Sequence, residues 1–209
     1  MILTVDIGNT TVCVCGVEHL GPEGHAAVFC TRLETVPGKD AEAYEAELRE
    51  ALDQAGVGVE RIEGAVVSSV VPCLNDPIRT CIRAVLEKEP VWITVQSRTG
   101  LTMAVDYPEK VGVDRIVDAA WVAANCPLPA VTVDMGTATT FNVIGEGGVF
   151  LGGAISVGMA TGLKALTART AQLPSLRLDA VDTVIGKNTE ACMESGAVIG
   201  GAAMIDGLV

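Results

Sequence analysis

Basic residues are in short supply: 14 Lys and Arg stand against 26 Asp and Glu, a formal charge of −12 over 209 residues. A chain of that charge repels a phosphate backbone as a whole, which argues against a nucleic-acid partner while leaving local phosphate binding open. Long hydrophobic runs are missing too, since no apolar stretch reaches the ~20 residues of a spanning helix, and no membrane partner is expected. The opening Met1-Ile-Leu-Thr-Val-Asp6 has neither a basic leader nor a small-residue cleavage site. It reads as a first β-strand, with the cytoplasm as the expected compartment. Histidines number two, so Cys13 and Cys15, although on one face of a strand, have only His19 and His25 as imidazole donors, and a zinc site is not expected. Seven cysteines without a repeating spacing, several in apolar runs, suggest buried reduced thiols. Two phosphate signatures are also absent: no Gly-x-x-x-x-Gly-Lys-Ser/Thr and no intact Gly-x-Gly-x-x-Gly occurs.

What remains is a composition of 49% apolar and 19% charged residues, enough to bury a core. Apolar segments at 2–6, 11–17 and 26–33, separated by Gly/Asn/Thr and Gly/Pro turns, predict three strands. Asp40 is a fair N-cap for a helix carrying Ala41, Tyr44, Leu48, Leu52 and Ala55 at helical spacing, with Gly56 at its C-terminal end. Residues 64–71 read as a doubly buried parallel strand stopped by Pro72, and a helix opens at Asn75-Asp76-Pro77 before a strand at 91–95. An extended segment at 103–111 leads into an Ala-rich helix to about 125. Strands follow near 130–134, 139–144 and 148–151, then a helix at 160–172 and a helical terminus from about 188. Met159, Met193 and Met204 read as core filler.

The β-β-β-α opening occurs twice, and its letters recur: Asp6-Ile-Gly-Asn-Thr-Thr11 and Asp134-Met-Gly-Thr-Ala-Thr-Thr140 each end a strand and lead through a Gly/Thr turn into the next. The period of 128 residues is too long for a solenoid and predicts two related halves around a cleft. The expected fold is therefore α/β, with residues 1–113 in one half and 114–209 in the other. The first half completes its strand-helix-strand tail. The second reaches Val209 in a helix, so it reads as incomplete.

A strand-end aspartate followed by glycine and hydroxyl residues suits phosphate and metal chemistry: backbone N–H groups approach the phosphate and the carboxylate holds a hydrated cation. The plainer alternative is a hairpin turn capped by its Asp. Gly112-Val-Asp114-Arg115 supports two readings equally: a helix start with Asp114 as N-cap, or a base for a substrate hydroxyl with Arg115 available to a carboxylate. Gly152-Gly153-Ala-Ile-Ser-Val-Gly158 reads as a turn before a helix or as backbone brought close to a ligand. Lys187-Asn188-Thr189 opens the last helix, either as a cap at Asn188 or as a site for a polar or anionic ligand.

Taken together, Asp-x-Gly-Asn-Thr at 6–10, Ser-Ser-Val-Val-Pro at 68–72, Gly-x-Asp-Arg at 112–115, Asp-x-Gly-Thr-Ala-Thr-Thr at 134–140, Gly-Gly-x-Ile at 152–155 and Gly-Lys-Asn-Thr at 186–189 resemble type III pantothenate kinase across nearly the whole chain. The resemblance implies two ribonuclease-H-like halves of the actin, sugar-kinase and heat-shock-chaperone ATPase superfamily, and ATP-dependent phosphorylation of pantothenate, the first step of coenzyme A synthesis. It implies that Asp6, Ile7, Gly8, Asn9, Thr10, Thr11, Val12 and Cys13 form the first ATP-binding segment, with Asp6 toward Mg²⁺, and that Thr137 contacts ATP. Gly112, Val113, Asp114 and Arg115 become the substrate segment, Asp114 the base, Thr189 a pantothenate contact, and Asp134 the ligand of a monovalent cation, K⁺ or NH₄⁺. A homodimer is implied as well. The family's tyrosine seven residues before the glycine of Gly-x-Asp-Arg is Val105 here, with Tyr107 nearby on the same face of an extended segment. A nucleotide-sensing regulatory protein on the same fold is the alternative function.

Overall fold

Alternating burial along the first two strands builds the first sheet. In β1 (Ile2–Ile7), Leu3, Val5 and Ile7 are buried, and in β2 (Thr11–His19) so are Val12 and Val14. These strands form an antiparallel pair, β3 (His25–Glu34) continues it, and β4 (Gly64–Ser69) runs parallel to β1 on its other side. With β5 (Val91–Trp92) the order is β3-β2-β1-β4-β5. Two amphipathic helices close one face. Helix α1 (Ala41–Gln54) contributes Tyr44, Leu48 and Leu52 and is capped by the Asp40 carboxylate, which accepts from Ala43 N at 2.8 Å. Gly56 takes φ 64° just beyond the helix, a left-handed conformation that suits glycine. Helix α2 (Asn75–Leu86) adds Ile78, Ile82, Val85 and Leu86 to the same core.

This computed structural model describes residues 1–20 and 24–209, and the chain divides into two compact units, 1–99 with 109–117 and 100–108 with 118–209. The helix α3 (Val113–Asn125) starts among residues of the first unit and continues among those of the second. In the second unit the three-strand pattern returns: β7 (Ala130–Met135), β8 (Ala138–Gly145) and β9 (Val149–Val157) are consecutively antiparallel, and the short β6 (Thr102–Met103) lies parallel to β9. Phe141, Ile144, Phe150, Leu163 and Met193 are buried here, with α4 (Met159–Arg169) and α5 (Thr189–Leu208) completing the unit. Asn142, fully buried, donates to Thr132 Oγ1 at 2.9 Å across the β8/β7 pair. This is a mixed α/β architecture in which the three-strand opening recurs, as the repeat predicts. Among the described residues no helix is long and apolar enough to cross a membrane.

Several elements differ from their sequence expectations. The strand expected at 91–95 ends at Trp92, apart from one further ladder bond from Ile93 N to Val67 O, because Thr94 and Ser97 close a turn on themselves. Gly152 and Gly153 form no turn: they pair with Val143 and Asn142 inside β9, and a Cβ on Gly153 would fall on the Phe141 carbonyl. The segment 103–111 is not extended, since it bends at 105–106 and coils into a short helical turn at Pro108–Lys110. Helix α4 stops at Arg169, short of 172. The Gly/Pro turn between β2 and β3 falls on residues 21–23, outside the described residues.

The expectation of buried reduced thiols holds for Cys81, whose burial pushes its pKa up to about 12, reinforced by Glu45 and opposed by Arg49. It fails for Cys15 and Cys30, which are disulfide-bonded. The β2/β3 register sets them directly opposite each other, with Cα atoms 4.1 Å apart, which no spacing in the sequence reveals. Cys73 and Cys192 are exposed. Of the three core methionines expected, Met193 is buried, whereas Met159 and Met204 are partly exposed and line a groove in the second unit.

Candidate active site

The first strand-end turn is built by residues that point away from the core. Asp6 is exposed on the open face of β1, and its Oδ1 accepts the Ser68 hydroxyl of β4 at 2.6 Å. Ile7 and Val12 are fully buried and anchor the turn from below, so they can offer a ligand only backbone. Between them Gly8 N donates to Thr11 O at 3.0 Å, leaving Asn9 and Thr10 exposed at the tip. A Cβ on Gly8 would approach Thr11 O to 3.2 Å, tight enough to favour glycine. Thr35, at the end of β3, fastens the turn twice: its Oγ1 donates to Gly8 O at 2.7 Å and its N to Thr10 O at 3.2 Å. Cys13 stands opposite Asp6 on the next strand.

The second turn repeats the device with different bracing. Asp134 lies exposed at the end of β7, paired with Thr140, and Gly136 N donates to Ala138 O at 2.9 Å. Thr137 is exposed, and its carbonyl accepts from Gly158 N at 3.1 Å and from Thr161 Oγ1 at 2.7 Å, so the start of α4 is tied to this turn. Asp134 also lines a small cavity of about 270 Å³, together with Asp118, Trp121, Val122, Thr132 and Val133.

Of the two readings of Gly112-Val-Asp-Arg, the structure does not realise the N-cap at Asp114. Helix α3 begins at Val113, with Ile116 N donating to Gly112 O at 3.3 Å, so Asp114 lies inside the first turn. Its Oδ1 accepts from the adjacent Arg115 N at 2.8 Å and rests where a Cβ on Gly112 would be. Val113, Asp114 and Arg115 are all half-buried. Glycine at 112 thus lets the carboxylate fold back over the helix start.

At the head of α5 it is Asn188 that caps, accepting from Ala191 N at 2.8 Å, with Thr189 exposed as the first helical residue. Gly186 permits the approach: a Cβ there would meet the Cys192 and Ala191 backbone. Lys187, Asn188 and Thr189, with Ser156 and Arg169, are the polar members of a mostly apolar groove of about 1,230 Å³ lined by α4 and α5. Val105 is half-buried beside Gly152, and Tyr107 is 60% exposed, the bend at 105–106 having broken the extended face they were expected to share.

The sequence assigns no role to Ser68, which lies in the Ser-Ser-Val-Val-Pro run, nor to Thr35 and Thr161. Two adjacent serines in an otherwise apolar strand were a usable signal for Ser68. Thr35 and Thr161 carried none, because their partners lie 27 and 24 residues away.

The family profile and the curated relatives agree. The profile of the type III pantothenate kinase family matches residues 2–209. A type III pantothenate kinase of Moorella thermoacetica is 37% identical over 209 residues, covering 100% of this chain and 80% of that protein. One of Hyphomonas neptunium is 38% identical over 210 residues with the same coverage. Among solved structures, a Campylobacter jejuni protein described as a Baf family transcriptional activator superposes with a TM-score of 0.56 at 18% identity, covering 99% of this chain and 79% of that one, and shares the fold. The chain belongs to the type III pantothenate kinase family.

Proposed function

We propose that this protein transfers the γ-phosphate of ATP to the hydroxyl of pantothenate in the cytoplasm. The observation that carries the reading is the repeated turn: two exposed strand-end aspartates, each followed by a glycine-closed hairpin with a hydroxyl residue at its tip, at the first connection of two consecutive antiparallel three-strand runs. Phosphoryl transfer asks chiefly for positioning and charge neutralisation, and such turns suit both. Asn9, Thr10 and Thr11 at the first turn and Thr137 at the second donate to phosphate oxygens. The exposed Asp6 carboxylate, steadied by Ser68 and facing solvent, has the oxygen chemistry of a hydrated Mg²⁺ ligand. Mg²⁺ so held supplies neutralisation of phosphate charge. Asp114 takes the proton from the pantothenate hydroxyl, and Arg115 and Thr189 orient the substrate. A coupled assay with ATP, Mg²⁺, K⁺ and pantothenate tests the reading. Turnover is expected, and complete inactivity across cations and phosphate donors would favour a nucleotide-sensing regulatory protein instead.

Asp134 is assigned the monovalent cation. An exposed carboxylate lining a small cavity that also carries Asp118 and Thr132 offers the hard oxygen donors that K⁺ or NH₄⁺ takes. Rates should therefore be higher in K⁺ or NH₄⁺ than in Na⁺ at equal ionic strength, and the difference should vanish in Asp134→Asn. Equal rates in the two buffers with the unaltered protein would remove this role.

A homodimer is the expected assembly. Trp121 is 61% exposed and Val117 38% exposed on α3, and α5 is rich in Gly and Ala, so small and apolar residues suited to close helix packing lie open. An isologous pairing is the commonest closed arrangement. Light scattering across a dilution series should give twice the chain mass, and Trp121→Asp should shift it toward one. A stable, active monomer at micromolar concentration would refute the pairing.

A further inference from the structure

Three cysteine sulfurs lie together on the face of the first sheet that turns away from its core. Val12 and Val14 occupy the core side of β2, so Cys13 and Cys15 occupy the other, and Arg32 and Cys30 of β3 stand opposite them. Cys15 and Cys30 are bonded to each other, and Cys13 Sγ is 3.9 Å from Cys15 Sγ. Cys30 is exposed and Cys15 half-buried, so the bond is open to attack from solvent. Accessible disulfides of this kind exchange readily with small-molecule thiols, unlike those sealed in a core.

The bond's position ties it to the first turn. From Cys30 the strand runs four residues to Glu34, which pairs with Thr11, and the next residue, Thr35, makes the two hydrogen bonds that hold Gly8 and Thr10. We propose that Cys15 and Cys30 form a reversible thiol–disulfide switch that fixes β3 against β2 and, through Thr35, sets the order of the Gly8–Thr11 turn. To open it, the thiolate of a small-molecule thiol attacks Cys30 Sγ and the Cys15–Cys30 bond breaks, Cys15 leaving as a thiolate that takes up a proton. A second thiol resolves the mixed disulfide, leaving Cys30 as a thiol and the two small molecules joined as their own disulfide. Closing is the reverse, with that disulfide as the oxidant. Once the bond is open, the end of β3 frays more readily and Thr35 leaves the turn for part of the time. The consequence for nucleotide rests on the reading of this turn as a phosphate site: the reduced form should show a KM for ATP about 5-fold higher, the low end of coupling between linked sites.

The full chain is treated with oxidised glutathione or with dithiothreitol, denatured and alkylated. Five of its seven cysteines should react in the oxidised form and all seven in the reduced form. Cleavage after Glu18 separates the peptide bearing Cys13 and Cys15 from the one bearing Cys30, and the two should remain joined only in the oxidised form. Native trypsin cleavage after Arg32 should be about 10-fold faster in the reduced form if β3 frays. Cys30→Ser should behave as permanently reduced in both cleavage and KM, whatever the redox treatment. Failure of the link to form at any glutathione ratio overturns the switch, and so does a link that persists in Cys15→Ser through Cys13. Equal Arg32 cleavage in the two forms, or an equal KM for ATP, overturns its coupling to the turn. A protein inactive in both forms fails the kinase reading instead, and the linkage and cleavage measurements still decide the switch.

Discussion

Asp114→Asn should retain the fold and lower kcat by ~10²- to 10⁴-fold, the range for loss of a general base. The local geometry makes the substitution clean. Asp114 sits within the first turn of α3 rather than at its cap, and its Oδ1 accepts from Arg115 N at 2.8 Å. An asparagine oxygen accepts that bond equally well, and the helix keeps its own Ile116–Gly112 bond. What the amide loses is the capacity to take a proton from an alcohol. KM for pantothenate should move little, because Arg115 and Thr189 remain, and the melting temperature should stay within about 2 °C, as for a substitution that removes no buried contact. Should kcat stay unchanged while the melting temperature falls, Asp114 would be a structural residue of the helix start. Gly112→Ala offers a second approach to the same atom: its Cβ would occupy the place of Asp114 Oδ1, so the carboxylate must swing away. It should reproduce part of the kcat loss with the carboxylate still present.

The repeat was readable because both copies keep the same local chemistry. Asp6 and Asp134, with their glycines and threonines, announce a strand-end hairpin in both places, although the first closes Gly8 on Thr11 and the second, one residue tighter, closes Gly136 on Ala138. Caps at Asp40 and Asn188 and the helical faces of α1 and α2 were legible for the same reason, since each depends on neighbours within one or two turns. Features that depend on register or on distant chain were not. Gly152 and Gly153 look like a turn in isolation and become strand only because Phe141 and Asn142 press against them. Cys15 and Cys30 looked like separate core thiols until the β2/β3 pairing set them opposite. The hydroxyls that brace the two turns, Ser68, Thr35 and Thr161, come from elsewhere in the chain. The exposed strand-end aspartates were thus found from sequence, and the residues that brace their turns were not.

That distinction is tested most sharply at Gly158. Its φ of −68° is ordinary for any residue, and it immediately precedes α4, so on local grounds alanine should be harmless there. Its surroundings forbid it: a Cβ would run into the Gly136 carbonyl oxygen and lie 2.6 Å from Thr137 O and 2.8 Å from Thr137 C. Those contacts are backbone and cannot rotate aside as a side-chain end would. Either the start of α4 or the 136–137 turn must move, by something on the order of 1 Å, and the bond from Gly158 N to Thr137 O is strained with it. A displacement of that size in a positioning element is worth about 10²-fold in rate. Gly158→Ala is therefore expected to lower kcat/KM for ATP by about that factor and to weaken K⁺ activation through the neighbouring Asp134, while kcat/KM for pantothenate falls less. Gly162→Ala, one turn further along α4, where an added Cβ would only touch Val157 at 4.0 Å, should leave all of these values unchanged. If Gly158→Ala kept full ATP efficiency, the second turn would not be a nucleotide contact. Its resemblance to the first would then reflect the duplicated fold and not a shared role.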